Sequence, residues 1–207
     1  MNARETVLGR VRDALALAPP DAVQVPRDYR RRRSLPPERR RELLVDRLED
    51  YRASVHQCDT AEAPGAIATA LRGARRIGIP AGLDRRWLAE FDGEVTVDSA
   101  EVPSARLDEL DGVVTGSAVS CAETGTIFLD SSADQGRRAL TLVPDLHVCV
   151  VALSSVVAGV PEAVARLDPV RPTTLISGPS ATSDIELDRV EGVHGPRTLH
   201  VVLLLDA

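Results

Sequence analysis

A carboxylate between two glycines is the first feature of this sequence with chemical potential. Glu123 lies in the turn 122–126, after Gly116 and two residues before Gly125. Because glycine permits tight turns and the close approach of a ligand, Glu123 could serve as a nucleophile, as a general acid or base, or as an acceptor for ligand hydroxyl groups. It could equally stabilise the turn by accepting hydrogen bonds from backbone N–H groups.

The arginine pair Arg137 and Arg138 indicates a second polar cluster. Guanidinium groups bind carboxylates and phosphates through paired hydrogen bonds. Asp145 and His147 follow, two residues apart, so that on a strand their side chains would face the same side, as an Asp–His pair or as two metal ligands. Since no further ligand stands at a fixed spacing, we expect a structural pair and no metal site.

Hydroxyl groups are dense in residues 177–186, which follow a predicted strand. A junction of this kind directs backbone N–H groups at an anion, and the four hydroxyls before Asp184 exceed what helix capping needs. The next loop, 191–197, brings His194 as a proton-transfer candidate and Arg197 as an anion clamp.

We expect these clusters to meet in one cleft that binds a small anionic ligand, with Glu123 and His194 as the catalytic candidates. The expected ligand-binding residues are Thr115, Gly116, Glu123, Thr124, Gly125, Arg137, Ser177, Gly178, Ser180, Thr182, Ser183, Asp184, His194, Gly195 and Arg197.

The composition excludes several classes of protein. All 25 basic residues are arginine, which rules out the lysine of a Walker-type phosphate loop and every Schiff-base mechanism. Five aromatic residues and a net charge of -6 argue against a nucleic-acid surface. The three cysteines include no C-x-x-C pair, so neither a disulfide framework nor an iron–sulfur or zinc site is indicated. Without an N-terminal apolar region or an apolar run of ~20 residues, we expect a cytoplasmic chain that does not insert into a membrane.

The elements that must position these residues alternate between helix and strand. Apolar residues at helical spacing predict helices, and short apolar runs predict strands. Their sum is a mixed α/β sheet with helices on both faces, preceded by a helical N-terminal region. Short connections between 125 and 153 require some antiparallel pairing. The predicted helices cover 2–17, 37 to 55, 62–72, 84–91 and 155–167, and the predicted strands cover 76–79, 94–97, 113–114, 126–129, 140–143, 147–153, 173–177 and 199–205.

We divide the chain into an N-terminal helix with a basic linker, residues 1–36, and an α/β domain, residues 37–207. Residues 27–41 contain eight arginines against two acidic residues. Because a charge run is usually a solvated face, the main interpretation is a solvated linker running into a helix. The other interpretation is an arm that docks on an acidic partner or on an anionic ligand.

Five segments in this order resemble the lactate-utilisation (LUD) domain family over about residues 40–205. The resemblance implies a fold similar to that of ribose-phosphate isomerases and coenzyme A transferases. It also implies a role in the oxidation of L-lactate to pyruvate, beside two partners that carry iron–sulfur clusters. Because this chain lacks cysteine motifs, we expect no cofactor in it. The segments are Ala122–Ile127, Gln135–Arg138, Leu142–His147, Ser177–Glu186 and Glu191–Arg197.

Two hypotheses from different classes follow. The leading one is a non-redox subunit of a lactate-oxidising assembly, which binds the small anionic ligand and docks on the iron–sulfur subunits. The alternative is a stand-alone enzyme similar to isomerases or to acyl- and coenzyme A transferases, in which Glu123 would be the nucleophile. A nucleic-acid-binding module built on residues 27–41 is the least favoured class. The sequence leaves the first two hypotheses open.

Overall fold

The N-terminal helix begins at a reciprocal cap. The computed structural model describes residues 2–17, 24–182, 190–191 and 194–207. Asn2 Oδ1 accepts the Glu5 N–H at 2.9 Å, and Glu5 Oε2 accepts the Asn2 N–H at 3.0 Å. This capping box satisfies N–H groups that a helix start leaves without partners. The predicted first helix is confirmed as α1 (Ala3–Leu17).

By its internal contacts the chain divides into a unit that ends at Arg30 and a unit from Arg31 to Ala207. The predicted boundary between residues 36 and 37 stays a prediction. The second unit contains, among its described residues, the helices α2 (Pro37–Asp50), α3 (Ala63–Ala70), α4 (Ser104–Leu107) and α5 (Val160–Val164), and the strands β1 (Ser54–Cys58), β2 (Arg76–Pro80), β3 (Glu94–Asp98), β4 (Gly112–Thr115), β5 (Val119–Cys121), β6 (Thr126–Leu129), β7 (Leu146–Ala152), β8 (Val156–Val157), β9 (Thr174–Ile176), β10 (Ala181–Thr182), β11 (Val190–Glu191) and β12 (Thr198–Leu204).

Six parallel strands form the central sheet, in the order β1–β12–β7–β4–β2–β3. The middle strands β12 and β7 are aligned over their whole length, from Thr198 beside Leu146 to Leu204 beside Ala152. Both are near-continuous apolar runs. Such runs are typical of parallel strands that are covered on both faces, because neither face is left to water.

A smaller sheet has the order β8–β5–β6–β9. Strand β6 pairs antiparallel with β5 and with β9, so antiparallel pairing is present, with both partner strands outside residues 125–153. Strand β8 lies parallel to β5. Strands β10 and β11 form a separate antiparallel pair.

Different elements cover the two faces of the central sheet. On one face, α3 and the 3-10 helix Arg85–Leu88 pack against the strands in a cluster that includes Ile67 and Ile79. On the other face, α2 and the smaller sheet contribute Leu48 and Ile127 to a second cluster. The predicted fold class, a mixed α/β sheet with helices on both faces, is therefore confirmed. The smaller sheet shares the second face with α2.

The predicted strand over 140–143 is wrong, because these residues form turns. Leu140 is fully buried and packs against Leu107. The N–H of Val143 donates to the carbonyl of Ala139 at 3.2 Å, as in a helical turn. The apolar residues of this segment therefore fill the space beside the sheet rather than extending it.

The second predicted helix does not reach Val55. Arg52 has a φ of 67°, in the left-handed region that commonly ends a helix. The Ala53 N–H donates to the Leu48 carbonyl at 2.9 Å and satisfies a carbonyl that the ended helix would leave open. The chain then extends into β1, which contains Val55 and pairs with β12.

The single helix predicted over 155–167 is also wrong. Its first residues form β8, which pairs with β5. Helix α5 begins only after Gly159, which has an extended backbone, and Pro161 lies in its first turn. A proline in the first turn loses no hydrogen bond, because the N–H groups of that turn have no partner within the helix. The helix can therefore hold this proline in its first turn but not further along.

Replacement of Leu48 by alanine tests the packing between α2 and the central sheet. Leu48 is 0% exposed, so we expect Leu48→Ala to lower the free energy of unfolding by about 2–5 kcal/mol. Urea denaturation measures this loss. The matched control is Val170→Ala, because Val170 is 86% exposed and should change stability by less than ~0.5 kcal/mol. Equal losses in both variants would contradict the assigned packing.

Candidate functional site

Two of the predicted loop segments meet at the amino-terminal ends of β7 and β12. Residues 177–180 and 194–196 enclose a cavity of about 220 Å³ there, together with side chains from the segment 138–147. We call this space the amino-end cavity. Its polar lining includes Arg138, Thr141, His147, Ser177, Ser180 and His194.

Hydrogen bonds and a close backbone approach fix the two loops. The Ser180 N–H donates to the Pro196 carbonyl at 2.8 Å, and the His194 N–H donates to Ser180 Oγ at 3.0 Å. Gly178 has a φ of +93°, and a Cβ there would lie 2.7 Å from the Cβ of Tyr51, so the position requires glycine. Five of the predicted ligand-binding residues thus lie together: Ser177, Gly178, Ser180, His194 and Gly195.

Arg138 supplies a positive charge to the amino-end cavity. Its Nη1 donates to the carbonyl and to Oγ1 of Thr141 at 3.0 and 3.3 Å, and its Nη2 donates to the carbonyl of His194 at 3.0 Å. Burial lowers the pKa of the guanidinium, which still keeps its charge because an arginine titrates far above neutral pH. No described residue accepts a hydrogen bond from Nε. Arg138 therefore holds the His194 loop and keeps a donor for a ligand.

His147 forms a buried part of the same lining. Its side chain is almost fully buried, and Nε2 lies 2.8 Å from Oγ1 of Thr115. Burial lowers the pKa of His147 to about 4, and the charge of Arg138 adds to this effect. The imidazole is therefore neutral near pH 7. Among the residues that the structure describes, none bonds to Nδ1, so this nitrogen is left for a ligand.

The contacts behind His147 are compatible with a ring proton on Nε2. Burial raises the pKa of Cys149 to about 12, so this residue is a thiol that donates to the Gly116 carbonyl, at 3.7 Å. The Thr115 hydroxyl lies 3.9 Å from Cys149 Sγ and 2.8 Å from Nε2 of His147, and its role toward Nε2 depends on the tautomer. We assign the ring proton to Nε2, so that the hydroxyl accepts from Nε2 and donates its single proton to the sulfur. With this assignment Nδ1 carries the lone pair.

The predicted binding residues Thr115 and Gly116 lie beneath the cavity rather than in its lining. Thr115 is 0% exposed, and its hydroxyl contacts His147 rather than the cavity. The Gly116 N–H donates to the Asp134 carbonyl at 2.9 Å, and a Cβ on Gly116 would lie 2.2 Å from Oδ2 of Asp134. Both residues are part of the support for the site.

Glu123 lies outside the lining of the amino-end cavity. Its Oε1 is 3.2 Å from Nη1 of Arg33, and both side chains are about two-fifths exposed (41% and 39%). Arg33 belongs to the arginine-rich segment 27–41, so one arginine of that segment contacts a predicted site residue. The Glu123 turn is nevertheless connected to the cavity by hydroxyls. Thr126 Oγ1 lies 2.8 Å from both Thr124 Oγ1 and Ser177 Oγ.

Gly125 allows α2 to approach the Glu123 turn. It has a φ of +62°, and a Cβ there would lie 2.7 Å from the Cβ of Arg47. Gly125 is therefore a packing residue of the turn, and Thr124 is the first hydroxyl of the chain that ends at Ser177.

Two predicted arginines are bound to carboxylates elsewhere. Arg197 donates to both oxygens of Asp145, with Nε at 2.9 Å from Oδ1, and this contact lowers the pKa of Asp145. The Asp145–His147 pair that the sequence allows is thus replaced by an exposed ion pair and a buried histidine. Arg137 forms two hydrogen bonds with Asp98 and lines a different cavity.

Three predicted residues cannot be placed at the site. Ser183 and Asp184 lie outside the described residues, and for Thr182 the structure gives the backbone of β10 alone. Among the residues that are described, no group of three His, Cys, Asp or Glu side chains could hold a metal ion.

Three residues of the lining, Arg138, Thr141 and His147, are absent from the ligand-binding residues predicted from the sequence. The sequence did indicate Arg138, because it forms with Arg137 an arginine pair that can bind a carboxylate. For Thr141 the local sequence gives no signal. It marks His147 only as a partner of Asp145, because the pairing of β4 with β7 is what brings Thr115 to His147.

The family follows from a comparison with known domains. A model of the LUD domain matches residues 41–204. The chain therefore belongs to the LUD domain family, and the resemblance predicted from the sequence is confirmed.

Named relatives agree with this assignment. The chain is similar to a protein of Deinococcus radiodurans named Lactate utilization protein C, with 52% identity over 163 residues that cover 77% of this chain and 76% of that protein. It is also similar to Lactate utilization protein C of Bacillus subtilis, with 32% identity over 62% of this chain and 58% of that protein. The match thus covers only a little over half of the Bacillus subtilis protein.

A solved structure shares the fold. The crystal structure of a DUF162 family protein from Deinococcus radiodurans matches with a TM-score of 0.72 and 41% identity, over 83% of this chain and 100% of that chain. None of the helices in the described part of this chain has the length and apolar character that crossing a bilayer requires.

Acid titration tests the neutral state of His147. Its pKa of about 4 in the folded chain lies below its ordinary value of 6.5, so between these values the unfolded chain binds a proton that the folded chain does not. Stability is therefore lost as the pH falls through this window, by roughly 2 kcal/mol between pH 7 and pH 4.5.

Urea denaturation at pH 7 and pH 4.5 measures this loss, with His147→Gln as the comparison. The variant keeps a donor for Thr115 but has no titrating group at this position. We expect its stability to fall by roughly 2 kcal/mol less than that of the wild type. The same fall in both proteins would show that His147 does not resist protonation.

Proposed function

We propose that this chain is a non-redox component of a lactate-utilisation system and that it binds a small anionic ligand in the amino-end cavity. Membership of the LUD domain family and the names of two relatives support the role in lactate utilisation. We further propose that the chain works in the cytoplasm and that iron–sulfur partner subunits carry out the redox step. The three buried free cysteines without a C-x-x-C pair fit this division of work.

The observation that carries the ligand proposal is the arrangement of Arg138 and His147 on one cavity. Arg138 offers a cationic donor, and the Nδ1 lone pair of His147 offers an acceptor beside it. A carboxylate with a neighbouring hydroxyl group satisfies both, because the carboxylate accepts from the guanidinium and the hydroxyl donates to Nδ1. A keto acid has no proton to donate to Nδ1, so we expect it to bind more weakly.

The size of the cavity supports a small ligand. A volume of about 220 Å³ is below the roughly 300–1,000 Å³ of pockets for drug-sized molecules. The hydroxyls of Ser177 and Ser180 lie in the same lining and can bind the remaining carboxylate oxygen.

The alternative of an acyl-transferring enzyme depends on Glu123. This carboxylate is held by Arg33 and does not line the amino-end cavity. Because Glu123 lies outside this cavity, the geometry favours a binding component over an enzyme that transfers an acyl group through Glu123.

Replacement of Arg138 tests the ligand site. We expect L-lactate to bind to the full chain more tightly than pyruvate, and Arg138→Gln to weaken L-lactate binding at least about tenfold, since a hydrogen bond to a charged group contributes roughly 1.5–3 kcal/mol. Arg138→Lys keeps the charge but loses the guanidinium hydrogen bonds to Thr141 and the His194 loop, so its affinity should lie between those of the wild type and Arg138→Gln. Isothermal titration calorimetry measures all of these affinities.

The control for this test is Arg72→Gln, which removes an exposed arginine at the end of α3 and should leave the affinity unchanged. An unchanged affinity in Arg138→Gln, or an equal loss in the control, would contradict the assignment of the anion to the amino-end cavity.

Association with the iron–sulfur proteins of the same organism's lactate-utilisation system tests the proposed role. We expect the tagged full chain to copurify with them at low salt. Replacing Arg30, Arg31 and Arg32 by glutamine should weaken the association, because contacts between exposed charges depend on their number and are screened by salt. The matched control replaces Arg4, Arg10 and Arg12, three exposed arginines of α1, and should leave the association unchanged. A full chain that neither associates with these proteins nor supports their oxidation of lactate would overturn the role.

A further inference from the structure

A second cavity opens beyond the carboxyl ends of β2 and β3 and has a volume of about 490 Å³. We call it the carboxyl-end cavity. Pro80 and Asp98, the last residues of the two strands, both line it. Nothing in the proposed function uses this space, although its volume lies in the usual range of ligand pockets.

The strand order points to this end of the sheet. From β2 the chain runs outward to β3 at the sheet edge, and it then returns to β4 on the other side of β2. Open α/β sheets bind ligands outside the carboxyl ends of the strands near such a reversal, because the connections leave in opposite directions and open a crevice. The carboxyl-end cavity lies beside this reversal.

One wall of the cavity is the loop 130–138, which is fastened to the ends of two strands. The Ala133 carbonyl accepts the Gly82 N–H at 2.8 Å, and the Asp134 carbonyl accepts the Gly116 N–H at 2.9 Å. These two hydrogen bonds attach the loop to the connections that follow β2 and β4. The wall is therefore preformed.

The outer part of this loop is held in a conformation that its sequence alone would disfavour. Ser131 has a φ of +60°, in the left-handed region that is uncommon for residues other than glycine. Nη2 of Arg171 donates to the Ser131 carbonyl at 3.1 Å, and Nη1 donates to Ser132 Oγ at 3.2 Å. Residues in such uncommon backbone conformations persist only where the surrounding structure stabilises them, and they are found most often at ligand and active sites.

Arg137 provides a fixed donor in the cavity lining. Its Nε and Nη2 each donate to one oxygen of Asp98 at 2.8 Å, and Nη2 also donates to the Val102 carbonyl at 2.6 Å. The Asp98 side chain is only 3% exposed, whereas that of Arg137 is 31% exposed. No residue in the described ranges accepts a hydrogen bond from Nη1. The guanidinium is thus held by one edge and keeps its other edge for a ligand.

The charge and shape of the lining define the ligand. Asp98, Arg137 and Arg138 give the lining one net positive charge, which favours a molecule with one negative charge. Short apolar side chains, among them those of Ala100 and Pro172, form much of the remaining wall and leave room for an apolar group.

We propose that the carboxyl-end cavity is a second binding site, which takes a monocarboxylate with an apolar body larger than the amino-end cavity admits. The carboxylate accepts hydrogen bonds from Nη1 of Arg137, and the apolar body lies against Pro80, Ala100 and Pro172. The two sites are adjacent, since Arg138 lines both cavities.

The probe for this site is 2-naphthoate, with the neutral naphthalen-2-ylmethanol as its counterpart. Isothermal titration calorimetry on the full chain should show one saturable site for 2-naphthoate, and the alcohol should bind at least about tenfold more weakly, because it lacks the charge that Arg137 binds. Removing Arg137 would leave Asp98 buried without a partner and risk unfolding, so the test changes the wall instead.

Ala100→Trp places an indole in the cavity at an exposed position and should weaken 2-naphthoate binding at least about tenfold without affecting the fold. The matched control, Ala105→Trp, places the same group on an exposed position of α4 and should leave the affinity unchanged. Absence of binding, equal affinity for the alcohol, or equal effects of the two substitutions would overturn the proposal.

Discussion

The buried hydrogen bond between His147 and Thr115 is the interaction on which the site depends. It joins β7 to β4 inside the face of the central sheet that the smaller sheet and α2 cover. An unpaired imidazole at this depth would cost free energy, so the histidine must be neutral and must use one nitrogen for Thr115. The other nitrogen is thereby left for the amino-end cavity. Burial thus decides the charge of this side chain, and the pairing with Thr115 decides its orientation.

The parallel sheet explains why the two cavities lie where they do. Because both faces of the sheet are buried, a ligand can reach it only at the ends of its strands. The amino ends of β7 and β12 meet the loops 177–180 and 194–196, and the carboxyl ends of β2 and β3 meet the loop 130–138. Arg137 lines the carboxyl-end cavity, and its neighbour Arg138 lines both cavities. A single short segment therefore supplies a cation to each cavity.

The sequence predicted those parts of the fold that depend on local patterns. The short apolar runs of β12 and β6 identify strands, and the helical spacing of apolar residues over 2–17 identifies the first helix. The apolar spacing predicted the wrong element where contacts between distant parts of the chain determine the local structure. Val55 continues the apolar stripe of α2 but belongs to β1, because Arg52 ends the helix.

The candidate site shows the same limit. The dense hydroxyls near Ser177 and the loop at His194 could be read from composition, and they do meet. The partners of the charged groups could not be read, since Arg197 binds Asp145 and Glu123 binds Arg33 across long separations in the sequence. A guanidinium is equally suited to a ligand and to a carboxylate of its own chain, and only the fold decides between them.

Nitrogen-15 NMR of the full chain at pH 7 reports the tautomer of His147 directly. We expect a neutral ring with its proton on Nε2 and a lone pair on Nδ1, and we expect the Nδ1 resonance to shift when L-lactate is added. A protonated ring, a proton on Nδ1, or an Nδ1 resonance that saturating L-lactate does not move would contradict the role of His147 in the site.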